Sequence, residues 1–152
     1  MKNLIEKFYR SFSDLDADKM LECYHPEIVF EDPAFGILKE DRARNMWKML
    51  CKSQKGKDFR ISFSDVTFDG KTGSAKWEAH YTFSQTGRKV HNEIFAVFEF
   101  RDGLIIKHTD SFDLYKWSKQ AMGLKGVLLG KTSFFKSKLQ DRTNSLLDDF
   151  EK

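Results

Sequence analysis

Asp32, His108 and Asp110 are the residues of this sequence best suited to proton-transfer chemistry. Side chains two residues apart lie on the same face of a β-strand. In the predicted strand 104–114 this rule places His108 and Asp110 on the face that carries Phe112, and Asp32 ends another apolar strand in the same way. A buried carboxylate without a partner is costly, so such positions are usually paired or useful. The three residues predict a pocket for general acid–base catalysis, with Asp32 or Asp110 as base and His108 as acid, hydrogen-bond donor or modulator of a carboxylate pKa.

Aromatic side chains surround these positions in the predicted strands and helices, and the chain contains 15 Phe, 4 Tyr and 3 Trp. Burial among rings raises the pKa of a carboxylate towards neutrality. Tyr9 and Asn92 are the candidate donors to an oxyanion that develops during the reaction. The residues expected to bind an apolar ligand are Tyr9, Phe30, Trp47, Trp77, Tyr81, Asn92, Phe98 and Phe112.

Each of the polar candidates also has a purely structural interpretation. Asp32 precedes Pro33, and its carboxylate can accept hydrogen bonds from the amides of a turn. His108 and Asp110 lie near a strand end, where an inward face can already be wet. Asn92 follows a predicted hairpin closely and can bond to the backbone. The pattern alone leaves both interpretations open.

The elements that position these residues change type near residue 58. Before that point a helical period recurs in residues 3–13, 17–24 and 39–52, interrupted by a short strand at 28–30. Beyond it the period becomes two, and turn signals between four long strands occur at Asp69-Gly70, Thr86-Gly87 and Asp102-Gly103. Residues 112–123 and the tail from Ser133 are predicted to be helical. This order predicts an α+β fold in which a curved antiparallel sheet wraps around the N-terminal helices.

Two strands carry a specific prediction of register. Strand 59–68 switches its apolar face between Phe63 and Val66, which predicts a β-bulge near Ser64-Asp65. In strand 104–114 simple alternation places Leu104 and Ile106 inward together with His108 and Asp110.

Composition excludes several classes of protein. The 26 Lys and Arg against 23 Asp and Glu give a net charge of +3, with acids and bases mixed and without the clustered basic excess that nucleic-acid binding requires. Cys23 and Cys51 stand apart from each other, without the spacing of a metal site. No segment is apolar enough to span a membrane, and the charged N-terminus is unlike a signal peptide. We therefore expect a cytoplasmic protein with no cofactor, no bound metal, no nucleic-acid partner and no membrane partner.

Four motifs resemble the nuclear transport factor two-like superfamily, whose members include ketosteroid isomerases, SnoaL-like polyketide cyclases and limonene epoxide hydrolases. They are residues 16–24, 29–33, 98–105 and 108–113, and the resemblance covers about residues 3–130. It implies a cone-shaped, mostly antiparallel sheet around the N-terminal helices, with an extra C-terminal helix beyond it. It also implies that Asp32 stands where the isomerases carry their proton-shuttling aspartate, and Asp110 where the epoxide hydrolases carry one member of an acid–base pair.

The same resemblance places the two oxyanion donors of the isomerases on Phe8 and Ala96, neither of which has a side-chain donor. The oxyanion pair of the isomerases is therefore not retained. Cyclase-like relatives commonly carry an inward Asp at the position of Asp110 beside a His, and they shift protons on carbonyl substrates without a cofactor.

Three functions are consistent with these residues. The first is a cofactor-free isomerase or cyclase that transfers protons on an apolar carbonyl compound. The second is a non-catalytic protein that binds an apolar small molecule in the same cavity, and the third is a protein-interaction module. We expect one domain over residues 1–130 and an amphipathic helical extension over 131–152, which docks on its own domain or across a homodimer.

Overall fold

Six strands form a single open sheet, and six helices accompany it. The computed structural model describes all 152 residues. The helices are α1 (Lys2–Ser13), α2 (Ala17–Leu21), α3 (Asp41–Gln54), α4 (Leu114–Met122), α5 (Leu124–Leu129) and α6 (Ser133–Glu151). The strands are β1 (Tyr24–Asp32), β2 (Gly36–Lys39), β3 (Arg60–Phe68), β4 (Thr72–Phe83), β5 (Arg88–Arg101) and β6 (Leu104–Ser111). The predicted α+β fold, with its helices first and the meander after residue 58, is confirmed.

The order of strands in the sheet places β1, which ends at Asp32, beside β6, which carries Asp110. That order is β2-β1-β6-β5-β4-β3, and every neighbouring pair is antiparallel except β1 and β6, which run parallel. Phe30 of β1 lies opposite His108 of β6, and Asp110 lies opposite Ala96 of β5. Asp32 therefore ends a strand directly beside the strand that carries His108 and Asp110.

The predicted alternation holds in the central strands and in the first helix. Ala75, Trp77 and Ala79 of β4 are buried, as are Ile94, Ala96 and Phe98 of β5. The stripe of α1 packs into the same core through Ile5, Phe8, Tyr9 and Phe12, all of which are fully buried. Burial of one face of the sheet against α1 and α3 forms a core of 23 buried residues.

Register shifts interrupt three of the strand pairs, β1 with β6, β3 with β4 and β5 with β6, and the last of them corrects the predicted inward face of β6. The register of β3 against β4 shifts between Ser64 and Thr67, which confirms the predicted bulge. The register of β5 against β6 shifts next to Phe100, and Ile105 is the fully buried residue while Leu104 and Ile106 are only partly buried. The prediction that Leu104 and Ile106 point inward was wrong, because the bulge inserts one residue before the alternation resumes at His108.

Several element boundaries differ from the predicted ones, and two short elements were missed. Strand β1 covers Tyr24–Asp32 rather than residues 28–30, and α3 covers Asp41–Gln54 rather than 39–52. Helix α2 ends at Leu21 rather than at residue 24, and Tyr24 begins β1 because it pairs with Ile105 of β6. Strand β2 and helix α5 were not predicted. Both are short, and β2 is stabilised by its pairing with β1 rather than by a periodic pattern of its own.

Helix α6 packs against α3 and the turn that follows Asp32. Leu147 is fully buried in the main core. The side chains of Gln140, Thr143 and Asn144 donate hydrogen bonds to the carbonyl oxygens of residues 33–35, at 3.1, 2.8 and 2.9 Å. The predicted C-terminal helix therefore covers its own domain at the turn beside the candidate site. None of the helices combines the length and the apolar character needed to cross a bilayer.

Candidate active site

His108 and Asp110 form a hydrogen-bonded pair inside the core. His108 Nε2 lies 2.9 Å from Asp110 Oδ1, and the two residues are 0% and 4% exposed. Trp77 Nε1 donates a second hydrogen bond to the same Oδ1 at 3.3 Å. Asp110 therefore has two partners, as a buried carboxylate requires, and its Oδ2 is left without a protein donor.

Tyr24 extends this pair into a chain of hydrogen bonds. Trp47 Nε1 donates to Tyr24 Oη at 2.9 Å, and Tyr24 Oη lies 2.7 Å from His108 Nδ1. An indole nitrogen only donates, so the Tyr24 hydroxyl accepts from Trp47. A carboxylate only accepts, so His108 Nε2 donates to Asp110, and Nδ1 of the same ring faces the Tyr24 hydroxyl.

An aromatic cage holds the His108 ring in this orientation. The rings of Phe98, Phe30 and Phe8 have centroids 4.6, 5.1 and 5.4 Å from that of His108. Trp47 stacks on the imidazole with centroids 6.0 Å apart and planes 14° from parallel. Close packing on several sides excludes water, so the hydrogen bonds to Tyr24 and Asp110 are the only polar contacts of the ring.

Asp32 lies at the edge of this cluster, where it is partly buried. Its Oδ1 accepts hydrogen bonds from the amides of Ala34 and Phe35, at 2.9 and 2.6 Å, so the structural interpretation as a turn residue is correct. Burial, with a smaller contribution from the charge of Asp110, raises its pKa to about 7 against the lowering effect of the two amides. The turn occupies one carboxylate oxygen and leaves the other free, on a group whose pKa suits proton transfer near neutral pH.

Tyr9 contributes a buried hydroxyl that has no hydrogen-bond partner. Burial raises its pKa well above the usual value, and the charge of Asp110 adds to the effect. Tyr9 is therefore a protonated donor close to Asp110. Buried hydroxyl groups are normally satisfied, and an unpaired one inside a polar cluster is suited to a ligand oxygen.

The structure brings together most of the residues predicted to bind a ligand. Tyr9, Phe30, Trp47, Trp77 and Phe98 are all buried around His108 and Asp110.

Tyr81, Asn92 and Phe112 lie apart from the cage, towards the C-terminal helices. Tyr81 Oη accepts from Trp117 Nε1 of α4 at 2.7 Å, and Phe112 packs against both the main core and the smaller cluster around Trp117. Asn92 is partly buried opposite Ala79. A role for these three residues in ligand binding stays a prediction.

Tyr24 is the site residue that the sequence analysis missed. It was placed at the end of a helix, and its pairing with His108 spans 84 positions of the chain. One local signal was present, because Tyr24 precedes His25-Pro26 and a residue near proline favours extended backbone.

Surface cavities lie elsewhere on the molecule. Four of them have volumes of about 360 to 710 Å³, and Asp32, His108 and Asp110 line none of these. The side chain of Asp110 is 3% exposed. Access of a ligand to Asp110 therefore requires movement of a covering element.

One group of side chains has the spacing of metal ligands, on the outer face of the sheet. Glu78, His91 and Glu93 offer ligand atoms within 4.8 Å of one another. His91 Nε2 is 2.8 Å from Glu78, and Lys116 pairs with Glu93 at 3.4 Å, so each of the two carboxylates already has a partner. They lie on the face opposite His108.

Comparisons with known proteins agree with this fold. The family model described as a SnoaL-like domain matches residues 5–108. No curated protein sequence matches the chain.

Solved structures with the same fold include a predicted polyketide cyclase from Xanthomonas campestris pv. campestris, which is 20% identical with a TM-score of 0.62 over 78% of this chain and 93% of that chain. A limonene-epoxide-hydrolase-like epoxide hydrolase from Mycobacterium tuberculosis is 20% identical, with a TM-score of 0.60 over 88% and 92%. A nuclear transport factor two-like protein of unknown function from Burkholderia pseudomallei is 14% identical, with a TM-score of 0.67 over 79% and 95%. Similarity at these identities establishes the fold alone.

Proposed function

The chain belongs to the SnoaL-like domain family, and we propose that it is a cofactor-free enzyme that moves a proton on an apolar carbonyl compound. The observation that carries this proposal is the placement of two inward carboxylates in different environments. Each carboxylate receives two hydrogen bonds on Oδ1, Asp110 from the side chains of His108 and Trp77 and Asp32 from two backbone amides, and burial raises the pKa of Asp32 to about 7. Pairs of carboxylates whose surroundings separate their roles are typical of acid–base sites.

In the proposed reaction Asp32 is the general base. Its free oxygen removes a proton from the carbon next to the substrate carbonyl, and the electron pair of the C–H bond moves onto the carbonyl oxygen as an enolate. The hydroxyl of Tyr9 donates a hydrogen bond to that oxygen. Asp32 then returns the proton to another carbon, or the enolate carbon attacks an electrophile within the same molecule. The first course is isomerisation and the second is cyclisation.

Asp110 acts on this reaction through its charge and through its neighbours. Its charge adds to the effect of burial, which is the main cause of the raised pKa of Asp32. His108 and Trp77 hold Asp110 at Oδ1, which keeps the charge in place next to Asp32 and Tyr9. The contacts from Trp47 through Tyr24 orient the His108 ring so that Nε2 faces Asp110.

A second function, binding without turnover, is favoured by the close packing around His108. Phe8 packs edge-on against that ring, and Ala96 lies opposite Asp110, so the positions of the two isomerase oxyanion donors are apolar. One neutral hydroxyl is a weaker oxyanion site than a pair of donors. In this alternative Asp32 and Tyr9 only orient an apolar ligand.

Solvent exchange separates the two functions. The full-length protein is incubated in D₂O with apolar cyclic ketones, and loss of the α-proton signal is followed by NMR. We expect the wild-type protein to catalyse exchange, and Asp32→Asn to slow it by about 100-fold or more. Asp141→Asn, which changes an exposed carboxylate of α6, is the matched control and leaves the rate unchanged.

Asp110→Asn distinguishes the role of the second carboxylate. Loss of its charge lowers the pKa of Asp32, so the rise of the exchange rate with pH moves to lower pH. Ketones that shift the melting temperature but exchange no faster with wild-type protein than without it would support the binding function. Equal exchange by wild type and Asp32→Asn contradicts the assignment of the base.

A further inference from the structure

A second cavity lies outside the candidate active site, between the C-terminal helices and the end of β4. It has a volume of about 470 Å³, within the range of small-molecule sites. Its apolar walls come from Phe83 of β4, Trp117 and Met122 of α4, and Phe135 and Leu139 of α6. Trp117 and Phe135 are buried, so the cavity has a dry aromatic floor.

Cationic side chains stand at the rim of this cavity, and no acidic residue lines it. The cations are Lys125 of α5 and Lys138 and Arg142 of α6, and all three are exposed. Lys138 Nζ lies 5.5 Å from the centroid of the Phe134 ring. Gln85, with its amide oxygen facing the guanidinium, accepts from Arg142 Nε at 2.8 Å and holds that group over the opening.

The surrounding segment has the same charge. Residues 114–140 contain six lysines and no acidic residue, so the rest of the chain carries 20 basic side chains against all 23 acidic ones. The expectation that acidic and basic residues are mixed along the whole sequence was therefore wrong. The nearly neutral total conceals a cationic segment, which supplies Lys125 and Lys138 to the rim of the cavity, and Arg142 follows shortly after it.

We propose that this cavity binds a single-chain amphiphile with an anionic head, such as a long-chain carboxylate. The acyl chain lies on the floor formed by Trp117, Phe135 and Leu139, and the carboxylate pairs with Lys138 and Arg142 at the rim. The apolar floor supplies affinity, and the cations select the sign of the head group. This site is separate from Asp32 and Asp110, and it stands whether or not the proposed proton transfer is correct.

A second copy of this chain is a poorer occupant of the same face. In a two-fold symmetric dimer formed through this cavity, the rim cations Lys125, Lys138 and Arg142 of one copy would lie close to the same cations of the other. Juxtaposed like charges without intervening acids are unfavourable in an interface. Exposed apolar side chains at the rim, including Phe134 at 63% and Leu146 at 47%, are instead suited to the upper part of an acyl chain.

The test measures binding of monomeric dodecanoate to the full-length protein by titration calorimetry, with Trp fluorescence as a second signal because Trp117 forms the floor. We expect one dodecanoate per chain. Dodecyltrimethylammonium has the same tail and the opposite charge, and we expect it to bind about tenfold more weakly or less. Equal affinity for the two amphiphiles contradicts the proposed role of the cationic rim.

Paired variants locate the site. Lys138→Gln with Arg142→Gln weakens dodecanoate binding by about tenfold or more. Lys55→Gln with Lys57→Gln removes the same charge from an exposed loop and leaves the affinity unchanged. If both pairs weaken binding equally, the effect is one of net charge, and the proposal is wrong.

The apolar part of the site is tested separately. Leu139→Trp fills the cavity and abolishes binding, and Phe134→Ser, which alters an exposed rim residue, weakens it without affecting the fold. Vesicles of phosphatidylglycerol provide the last comparison. Protein that sediments with these vesicles but does not bind monomeric dodecanoate has a membrane-docking surface in place of the proposed cavity site.

Discussion

His108 donates a hydrogen bond from Nε2 to Asp110 Oδ1 at 2.9 Å, and both side chains are buried in the core. Each ring nitrogen of His108 has a single partner, because Nδ1 faces the hydroxyl of Tyr24 and Nε2 faces Asp110. The pair therefore behaves as one unit, in which the carboxylate depends on the imidazole for a hydrogen bond and the imidazole depends on two partners for its orientation.

Removal of His108 should destabilise the protein strongly. His108→Phe fits the aromatic cage but removes one of the two hydrogen-bond partners of the Tyr24 hydroxyl and one of the two of Asp110, so we expect a loss of about 3 kcal/mol in the free energy of unfolding. Urea denaturation measures it. His80→Phe is the control, because His80 is only partly buried and stacks on His91. It should change the stability by less than about 1 kcal/mol. Equal effects of the two variants would show that the buried pair contributes nothing specific.

Asp32 should make stability fall as the pH rises. Its pKa is about 7 in the folded protein and near 3.8 when unperturbed, so the folded state binds the proton more tightly. The contribution of Asp32 to the free energy of unfolding is fully present below its unperturbed pKa and is lost as the pH rises through its folded-state pKa. The slope is at most about 1.4 kcal/mol per pH unit. Asp32→Asn keeps the acceptor for the two turn amides and removes the titration.

The variant should therefore be more stable than wild type at pH 8, by about 2 to 4 kcal/mol, and similar to it at pH 4. Urea denaturation across this range gives both curves. Asp141→Asn, at an exposed position, should follow the wild-type curve. A wild-type slope that persists in Asp32→Asn would assign the pH dependence to another group.

Tyr9→Phe should separate stability from activity. The Tyr9 hydroxyl is buried without a partner, so its removal is expected to raise the free energy of unfolding by about 1 kcal/mol. The same change removes the donor to the enolate oxygen, and ketone exchange should slow by about tenfold or more. Tyr81→Phe is the matched control, because its hydroxyl accepts from Trp117 and its loss should reduce stability. Tyr9→Phe that is less stable than wild type would mean that the hydroxyl has a partner in solution.

The spacing of apolar residues and the residue types of the turns were sufficient to predict most of the fold. Alternation in β4 and β5 identified the buried faces, and the Gly-containing turns identified the hairpins, because both signals are local. The prediction of the inward face of β6 was wrong at Leu104 and Ile106, because a bulge depends on the pairing with the partner strand and the sequence of one strand does not reveal it.

The candidate site was predicted only in part, because local patterns reveal some of its residues and long-range pairing brings in the others. His108 and Asp110 are two residues apart, so alternation alone places them on one face. Tyr24 reaches His108 only through the parallel pairing of β1 and β6, which brings together segments more than 80 positions apart. The cationic rim around Lys138 was hidden because the net charge of the whole chain averages over a segment that contains no acid.

Helix α6 should be required for the stability of the domain and for the environment of Asp32. Leu147 is fully buried, whereas the neighbouring Leu146 is 47% exposed. Leu147→Ala should therefore cost about 2 to 5 kcal/mol, and Leu146→Ala less than about 1 kcal/mol. Truncation after Gly130 removes the whole helix, and it should lower the melting temperature further or dissociate a dimer.

The effect on Asp32 follows from the hydrogen bonds that α6 makes to the turn that directly follows Asp32. Thr143 and Asn144 bond to the carbonyl oxygens of Ala34 and Phe35, so a loosened helix admits water to the turn. Hydration reduces the desolvation that raises the pKa of Asp32, and that pKa should fall in Leu147→Ala but not in Leu146→Ala. NMR titration of the Asp32 carboxyl carbon measures the shift. An unchanged pKa in Leu147→Ala, or an unchanged melting temperature and mass after truncation, would show that the domain positions this carboxylate without help from α6.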